Sequence, residues 1–285
     1  MDVPIVDMHV HIQPWRMLHA SVLETMTRRR APEELEQLRV LMDDPVTLLR
    51  WMDREGIAAI ALINYSSPDI MGFTDEVNAY VTDFCREAPD RLIAFGSVHP
   101  RFTPNPEDFI RRWIDRGLRG FKIHPPHQLC YPNAYLQGNR TLEVLYRICQ
   151  DAGIPVMIHT GTSVFPGARN RYGDPMHIDD IAVDFPRLTI IMAHGGRPIW
   201  MSTAFFLMRR HPNVFLDISG IPPQRLLDYF PRLNEIADRV VFGSDWPGPG
   251  VPGIRANAET FWQLPLPEPV RRAILAENWK KLWQQ

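Results

Sequence analysis

Cysteine is scarce in this chain, three in 285 residues. Cys85, Cys130 and Cys149 are spaced neither like zinc ligands nor like a disulfide framework, so a reduced, cytoplasmic setting is expected. No apolar run approaches the roughly 20 residues that a helix needs to cross a bilayer, which argues against a membrane partner. An excess of one charge is also missing: 31 Lys and Arg face 33 Asp and Glu, a net charge of -2. That balance leaves no electrostatic footprint for nucleic acid. The one basic run, Arg28-Arg29-Arg30, lies in a polar helical stretch and reads as a solvated face. Low-complexity segments, signal-type leaders and interdomain linkers are absent from the pattern; Met1-Asp2 leads almost at once into an apolar run. What remains is a globular composition, 45% hydrophobic and 22% charged, with a small molecule as the expected partner.

Eight short apolar, β-branched runs recur, at 5–12, 58–65, 92–99, 119–124, 155–160, 188–194, 214–219 and 240–245. A helical pattern follows each, and continuous apolar runs alternating with helices indicate a parallel sheet covered on both faces. Asp44-Pro45 supplies an N-cap with proline at the first helical position, and Gly56 ends that helix. Asn105-Pro106 repeats the device, with Gly117 closing, and Gly153-Ile154-Pro155 stops the helix before the fifth run. Eight β–α units predict a single (β/α)8 TIM barrel, α/β in class, over residues 1–285. A doubly wound sheet would carry a glycine-rich turn after the first strand, where Gln13-Pro14-Trp15 stands instead. Residues 13–43 are too long for a bare loop and have helical spacing, so they read as an insertion over the barrel mouth. Two roles are open for it, a lid or an oligomer contact, and the second would make a homodimer.

The first run holds His9 and His11. Side chains two apart on a strand share a face, and two imidazoles on one buried face begin a metal site. Chemistry in such barrels sits at the C-terminal strand ends. Those ends carry Lys122 and His124, then His159, then His194, and finally Asp245. Their arrival on one rim turns the histidine pair from a candidate core feature into a metal-site expectation.

The order of these residues, from Asp7-Met8-His9-Val10-His11 to Gly243-Ser244-Asp245-Trp246-Pro247, resembles the amidohydrolase superfamily over essentially the whole chain. The amidohydrolase-related branch, which holds both hydrolases and decarboxylases similar to aminocarboxymuconate-semialdehyde decarboxylase, is the nearest match; Asp184-Phe185-Pro186 and Ala193-His194-Gly195-Gly196 also look like it. The resemblance implies that His9, His11, His159 and Asp245 bind one divalent ion, zinc by expectation, with manganese or another ion compatible. Asp245, His194 and Lys122 are the expected catalytic groups. His194 would stand beside the ion. Lys122 has three open roles: a carbamylated bridge between two ions, a substrate or acid–base group, or a structural ion pair with Asp7 or Asp217.

Substrate contacts are expected from His124, Arg197 and a wall of Trp15, Trp200 and Trp246. His99, His127 and His177 read as loop packing, and His211 as a helix C-terminal residue. The leading expectation for the reaction is hydrolysis of an amide, ester or lactone by metal-activated water. Nonoxidative decarboxylation of a small carboxylic acid, aromatic ones included, uses the same site and is the alternative. A catalytically silent metal-binding barrel is the third.

Overall fold

The computed structural model describes residues 2–284. All eight expected strands form: β1 (Ile5–Val10), β2 (Ile57–Ile63), β3 (Leu92–Gly96), β4 (Gly120–Ile123), β5 (Val156–His159), β6 (Ile190–Ala193), β7 (Val214–Asp217) and β8 (Val240–Val241). Each is parallel to the next, in sequence order. Closure runs through the chain beyond β8: Met8 N donates to Phe242 O (2.8 Å), Asp245 N to His9 O (2.9 Å) and His11 N to Trp246 O (2.7 Å). The expected run 240–245 is therefore a strand over two residues only. Its continuation bonds β1, and Phe242 N leaves the sheet to donate to Ile274 O at 3.0 Å. The architecture is a single (β/α)8 barrel.

The interior below the mouth is filled by Val6, Met8, Ala61, Ile63, Phe95, Met157, Ile191 and Phe215, with Trp279 and Trp283 packed against them. Burying an aromatic or a methionine of this kind contributes about 1.5–3 kcal/mol. β1 departs from simple alternation. Its pairing with β2 slips between Asp7 and Val10, so three steps on β1 match two on β2. This bulge lets Val6 and Met8 point inward below while His9 and His11 also point inward above. Asp7 stabilises the slip, because its Oδ1 accepts the His9 amide at 2.9 Å and the Ser244 amide at 3.0 Å.

Helices α1 (Ala20–Thr27) and α2 (Pro32–Asp43) form the expected insertion, and α3 (Pro45–Glu55) follows. Asp44 caps α3 through Val46 N and Thr47 N, both at 3.1 Å, and Gly56 closes it in the left-handed region. The second expected cap differs. Helix α4 (Glu76–Cys85) comes first, and α5 (Pro106–Asp115) starts where predicted, but Asn105 stands at φ 42 and its side chain caps nothing. The insertion is fastened at two places. His19 N donates to Met71 O at 2.9 Å, while Arg30 pairs with Glu34 and donates to Pro247 O at 2.6 Å. It is thereby tied to both the β2 and the β8 ends of the barrel. Among the described residues no helix is long and apolar enough to cross a membrane.

Candidate metal centre and its cavity

A cavity of about 310 Å³ opens at the C-terminal strand ends. It is lined by His9, His11, Lys122, His124, His159, His194, Arg197 and Asp245, all of them expected site residues. The fold brings them together because β1, β4, β5, β6 and the segment after β8 each deliver a side chain from their last inward position.

One group of metal-type donors converges among the described residues: His9, His194 and Asp245 offer atoms within 4.8 Å of one another. Nε2 of His9 lies 3.7 Å from Oδ1 of Asp245, and Nε2 of His11 lies 3.0 Å from the same oxygen. Nδ1 of His9 stands 2.5 Å from Oδ2 of Asp217, which makes Asp217 a support of the site from β7. Nδ1 of His194 faces the Ser219 carbonyl at 2.9 Å. His11 and His159, both expected ligands, lie outside the converging trio, whereas His194, expected beside the ion, is inside it. Nδ1 of His11 is engaged by Ile63 O at 3.2 Å. The Nε2 atoms of His9 and His159 are buried without a hydrogen-bond partner, as is Nζ of Lys122.

Two donor residues hold unusual backbones. His194 has φ 67 and Asp245 φ 70, a region that non-glycine residues occupy at a cost of roughly 1–3 kcal/mol when the surroundings enforce it. The Asp245 backbone is held by His9 O and by Gly248 N, which donates to Asp245 O at 2.6 Å. Strain stored at donors of one cluster is a common mark of a functional site.

Burial dominates the electrostatics. It holds His9, His159 and His194 well below the ordinary imidazole value, with neighbouring positive charge adding to the effect. These rings are neutral and offer lone pairs. Burial also works to raise the Asp245 carboxyl, but the His11 hydrogen bond, the imidazoles and Arg197 outweigh it and hold Asp245 at about 2. Lys122 is pushed down by burial, against the pull of Asp217 and Asp245, and burial raises Asp217. With His9 neutral and bonded through Nδ1, its Nε2 and the Asp245 carboxylate present lone pairs to each other across 3.7 Å. Two acceptors facing each other in a buried site are stabilised by a cation between them.

Several expectations need correction. The tryptophans do not line the cavity. Trp246 is buried and stacks on Trp51 at 4.9 Å, Trp15 lines a groove within the insertion beside Leu23, Leu35 and Met42, and Trp200 precedes the helix Met201–Arg210, against Gly196. Adjacency along the chain misled here, because a neighbour of an inward residue points elsewhere. The wall is instead Met26 from α1, Tyr65, Met71 and Phe165. Tyr65 ends the second apolar run, so reading that strand end would have found it.

His127 is also part of the cavity rather than loop packing. A short turn of helix, Pro125–Gln128, folds it back so that its ring stacks on His124 at 3.5 Å, and His124 stacks on His159 at 3.8 Å. Tyr65 Oη lies 3.1 Å from His127 Nδ1, and Ser163 Oγ lies 2.7 Å from its Nε2. Arg197 reaches Asp245 Oδ2 at 3.7 Å. His99 stacks on Phe102, His177 packs on Tyr131 and His211 contacts Asp179, all outside the cavity.

Residues 6–284 match the family model described as Amidohydrolase. Similar solved structures include an uncharacterised TIM-barrel protein from Bordetella bronchiseptica, 23% identical with a TM-score of 0.74 over 98% of each chain. The 2,6-dihydroxybenzoate decarboxylase from Rhizobium is 18% identical, with a TM-score of 0.69 over 99% of each chain. A 5-carboxyvanillate decarboxylase from Novosphingobium aromaticivorans, complexed with manganese and 4-hydroxy-3-methoxy-5-nitrobenzoic acid, is 17% identical, with a TM-score of 0.69 over 100% of this chain and 97% of that one. At such identities the likeness is one of fold. The activities named are nevertheless decarboxylations, which overturns hydrolysis as the leading expectation and favours its alternative. The same rim residues, His9, His11, Lys122, His159, His194 and Asp245, serve either reaction, so their presence does not separate the two.

Proposed function

The chain belongs to the amidohydrolase family, and on that basis, with the chemistry of its cavity, we propose that it is a metal-dependent nonoxidative decarboxylase of a small aromatic carboxylic acid. The observation that carries the reading is the facing pair of acceptors, His9 Nε2 and Asp245 Oδ1, in a buried cluster that also gathers His194. These three residues would hold a single divalent ion, with His11 against the same Asp245 oxygen. Manganese, bound in several similar structures, suits the nitrogen and carboxylate donors, and zinc suits them as well. When bound, the ion would attract a substrate oxygen and offset its charge.

The chain's own groups supply the remaining parts. Arg197, beside Asp245 at the cavity edge, presents a planar fork matched to a carboxylate. Met26, Met71, Tyr65 and Phe165 offer an apolar and aromatic surface to a ring. Loss of CO2 from an aromatic carboxylate leaves a ring carbon that must gain one proton. Asp245, ionised in the cavity, acts as a relay: it takes the proton of a phenolic O–H on the substrate and passes it to that carbon, and solvent reprotonates the phenolate of the product. With Nδ1 against the Ser219 carbonyl and Nε2 left to the ion, His194 has no nitrogen free to carry a proton to the ring.

The test loads the protein with Mn2+ and incubates it with a panel of hydroxylated benzoic acids, following CO2 release. Turnover of at least one member is expected. No CO2 from any member, in protein shown to hold one equivalent of ion, would overturn the proposal.

A further inference from the structure

Asp217 and Ser219 lie at the C-terminal end of β7 and contribute no donor to the converging trio. Their hydrogen bonds nonetheless touch two of its three members. Ser219 N donates to Asp217 Oδ1 at 2.8 Å, and Ser219 Oγ lies 2.8 Å from Asp217 Oδ2. Oδ2 also faces His9 Nδ1 at 2.5 Å. Ser219 Oγ stands 3.0 Å from His9 Nδ1 and 3.0 Å from His194 Nδ1, and the Ser219 carbonyl stands 2.9 Å from His194 Nδ1.

The protons in this network can be assigned by counting. A backbone carbonyl only accepts, so His194 carries its proton on Nδ1. Ser219 has one hydroxyl proton, and Asp217 Oδ2 is the acceptor at 2.8 Å. For His9 there are two arrangements. A proton on Nε2 would sit buried, with Asp245 Oδ1 at 3.7 Å, beyond hydrogen-bond reach. A proton on Nδ1 is taken up by Asp217. The second arrangement leaves no buried N–H unsatisfied.

We infer that Asp217 and Ser219 form a tautomer clamp that holds both His9 and His194 as Nδ1–H imidazoles, their bare Nε2 atoms turned to the cavity, before any ion arrives. The clamp is a positioning device; neither residue touches substrate. An unrestrained neutral imidazole exchanges between two tautomers, only one of which offers Nε2 as a ligand. The packing is built around the clamp: a Cβ on Gly243 would stand 2.3 Å from Asp217 Oδ1, 2.9 Å from Ser219 Cβ and 2.9 Å from His9 Cβ. The chain turns away directly afterwards at Gly220, φ 63.

The inference rests on the metal-dependent reading for its purpose, but its first test needs no metal. Two-bond nitrogen–proton spectra of metal-free protein labelled with 15N-histidine report each ring's tautomer. Both His9 and His194 should read as Nδ1–H; either one reading as Nε2–H would overturn the clamp. In Asp217→Asn, one end of the amide must present N–H to a donor, so His9 should lose its Nδ1–H preference. Competition against a chromogenic chelator should then show Zn2+ or Mn2+ binding weakened about 10- to 100-fold, the usual range when a supporting partner of a ligand is removed. Ser219→Ala should weaken it less, and Ser219→Thr, which keeps the hydroxyl, should restore it. Folded Asp217→Asn binding the ion within threefold of wild type would refute the clamp. If that variant does not fold, the wild-type spectrum and the Ser219 pair decide. Wild-type protein with both Nδ1–H rings but no ion uptake would support the clamp and sink the metal-dependent reading alone.

Discussion

Gly243 offers a sharp test of the packing behind the cavity. It follows β8, with His9 on one side and the β7 end on the other. A methyl group there has no free space: Asp217 Oδ1 would lie 2.3 Å from the new Cβ, and the Cβ atoms of His9 and Ser219 would each lie 2.9 Å away. Two of the three obstacles are carbons fixed to backbone, and the third is a carboxylate oxygen already accepting Ser219 N at 2.8 Å. Overpacking of this kind costs about 1–3 kcal/mol. If the fold absorbs it, the melting temperature of Gly243→Ala should fall by roughly 2–4 °C for each kcal/mol. If the site absorbs it by moving Asp217 and His9, ion affinity should fall by about 5- to 150-fold, since ~1.4 kcal/mol is a tenfold change. Differential scanning calorimetry of metal-free protein and a chelator competition separate the two. Wild-type values in both measurements would refute the close packing of β1, β7 and the segment after β8.

Three further outcomes follow from other parts of the molecule. Burial and the nearby Arg101 charge lower the His99 imidazole from 6.5 to about 4, with Asp69 opposing. Since its folded value is depressed, its contribution is present above about 6.5 and is lost as pH falls towards 4; His99→Leu should flatten that slope, by up to about 3 kcal/mol, in urea unfolding at pH 4.5 and 7. Arg30→Ala removes the side chain that pairs with Glu34 and donates to Pro247 O, and should cost about 1–3 kcal/mol. Amide exchange at Gly248 and Gly250 should accelerate, and unchanged exchange would show that the insertion does not secure the loop after Asp245. Met26→Ala should weaken binding of a hydroxybenzoate to the Mn2+-loaded protein about tenfold, because alanine covers less of the ring's apolar surface. Equal affinity by calorimetry would remove Met26 from the cavity wall.

The barrel was legible in the sequence because its signals are local. Apolar runs of strand length, an aspartate cap before Pro45 and a glycine at 56 each act within a few residues, and β–α alternation leaves few topologies. The same locality exposed His9, His11, Lys122, His124, His159, His194 and Asp245: each ends a recognisable run, and strand ends of a parallel barrel share one rim. Other features depend on contacts between distant segments. The bulge in β1 arises from pairing with β2, and no residue type announces it. His127 was hidden by a proline-rich turn that folds it back over His124. The tryptophans were misplaced because adjacency in the chain says little about direction in space.

By itself, then, the amino-acid order determined the fold class and the rim residues, since both follow from periodicity and from which residue ends each run; the family rests on the match of residues 6–284 to the Amidohydrolase model. Only the tertiary structure decided that His194 joins His9 and Asp245, that Asp217 and Ser219 stand behind them, and that Met26 arrives from the insertion. These depend on distances of a few ångströms between segments more than two hundred residues apart, set by how the strands close and not by any local pattern.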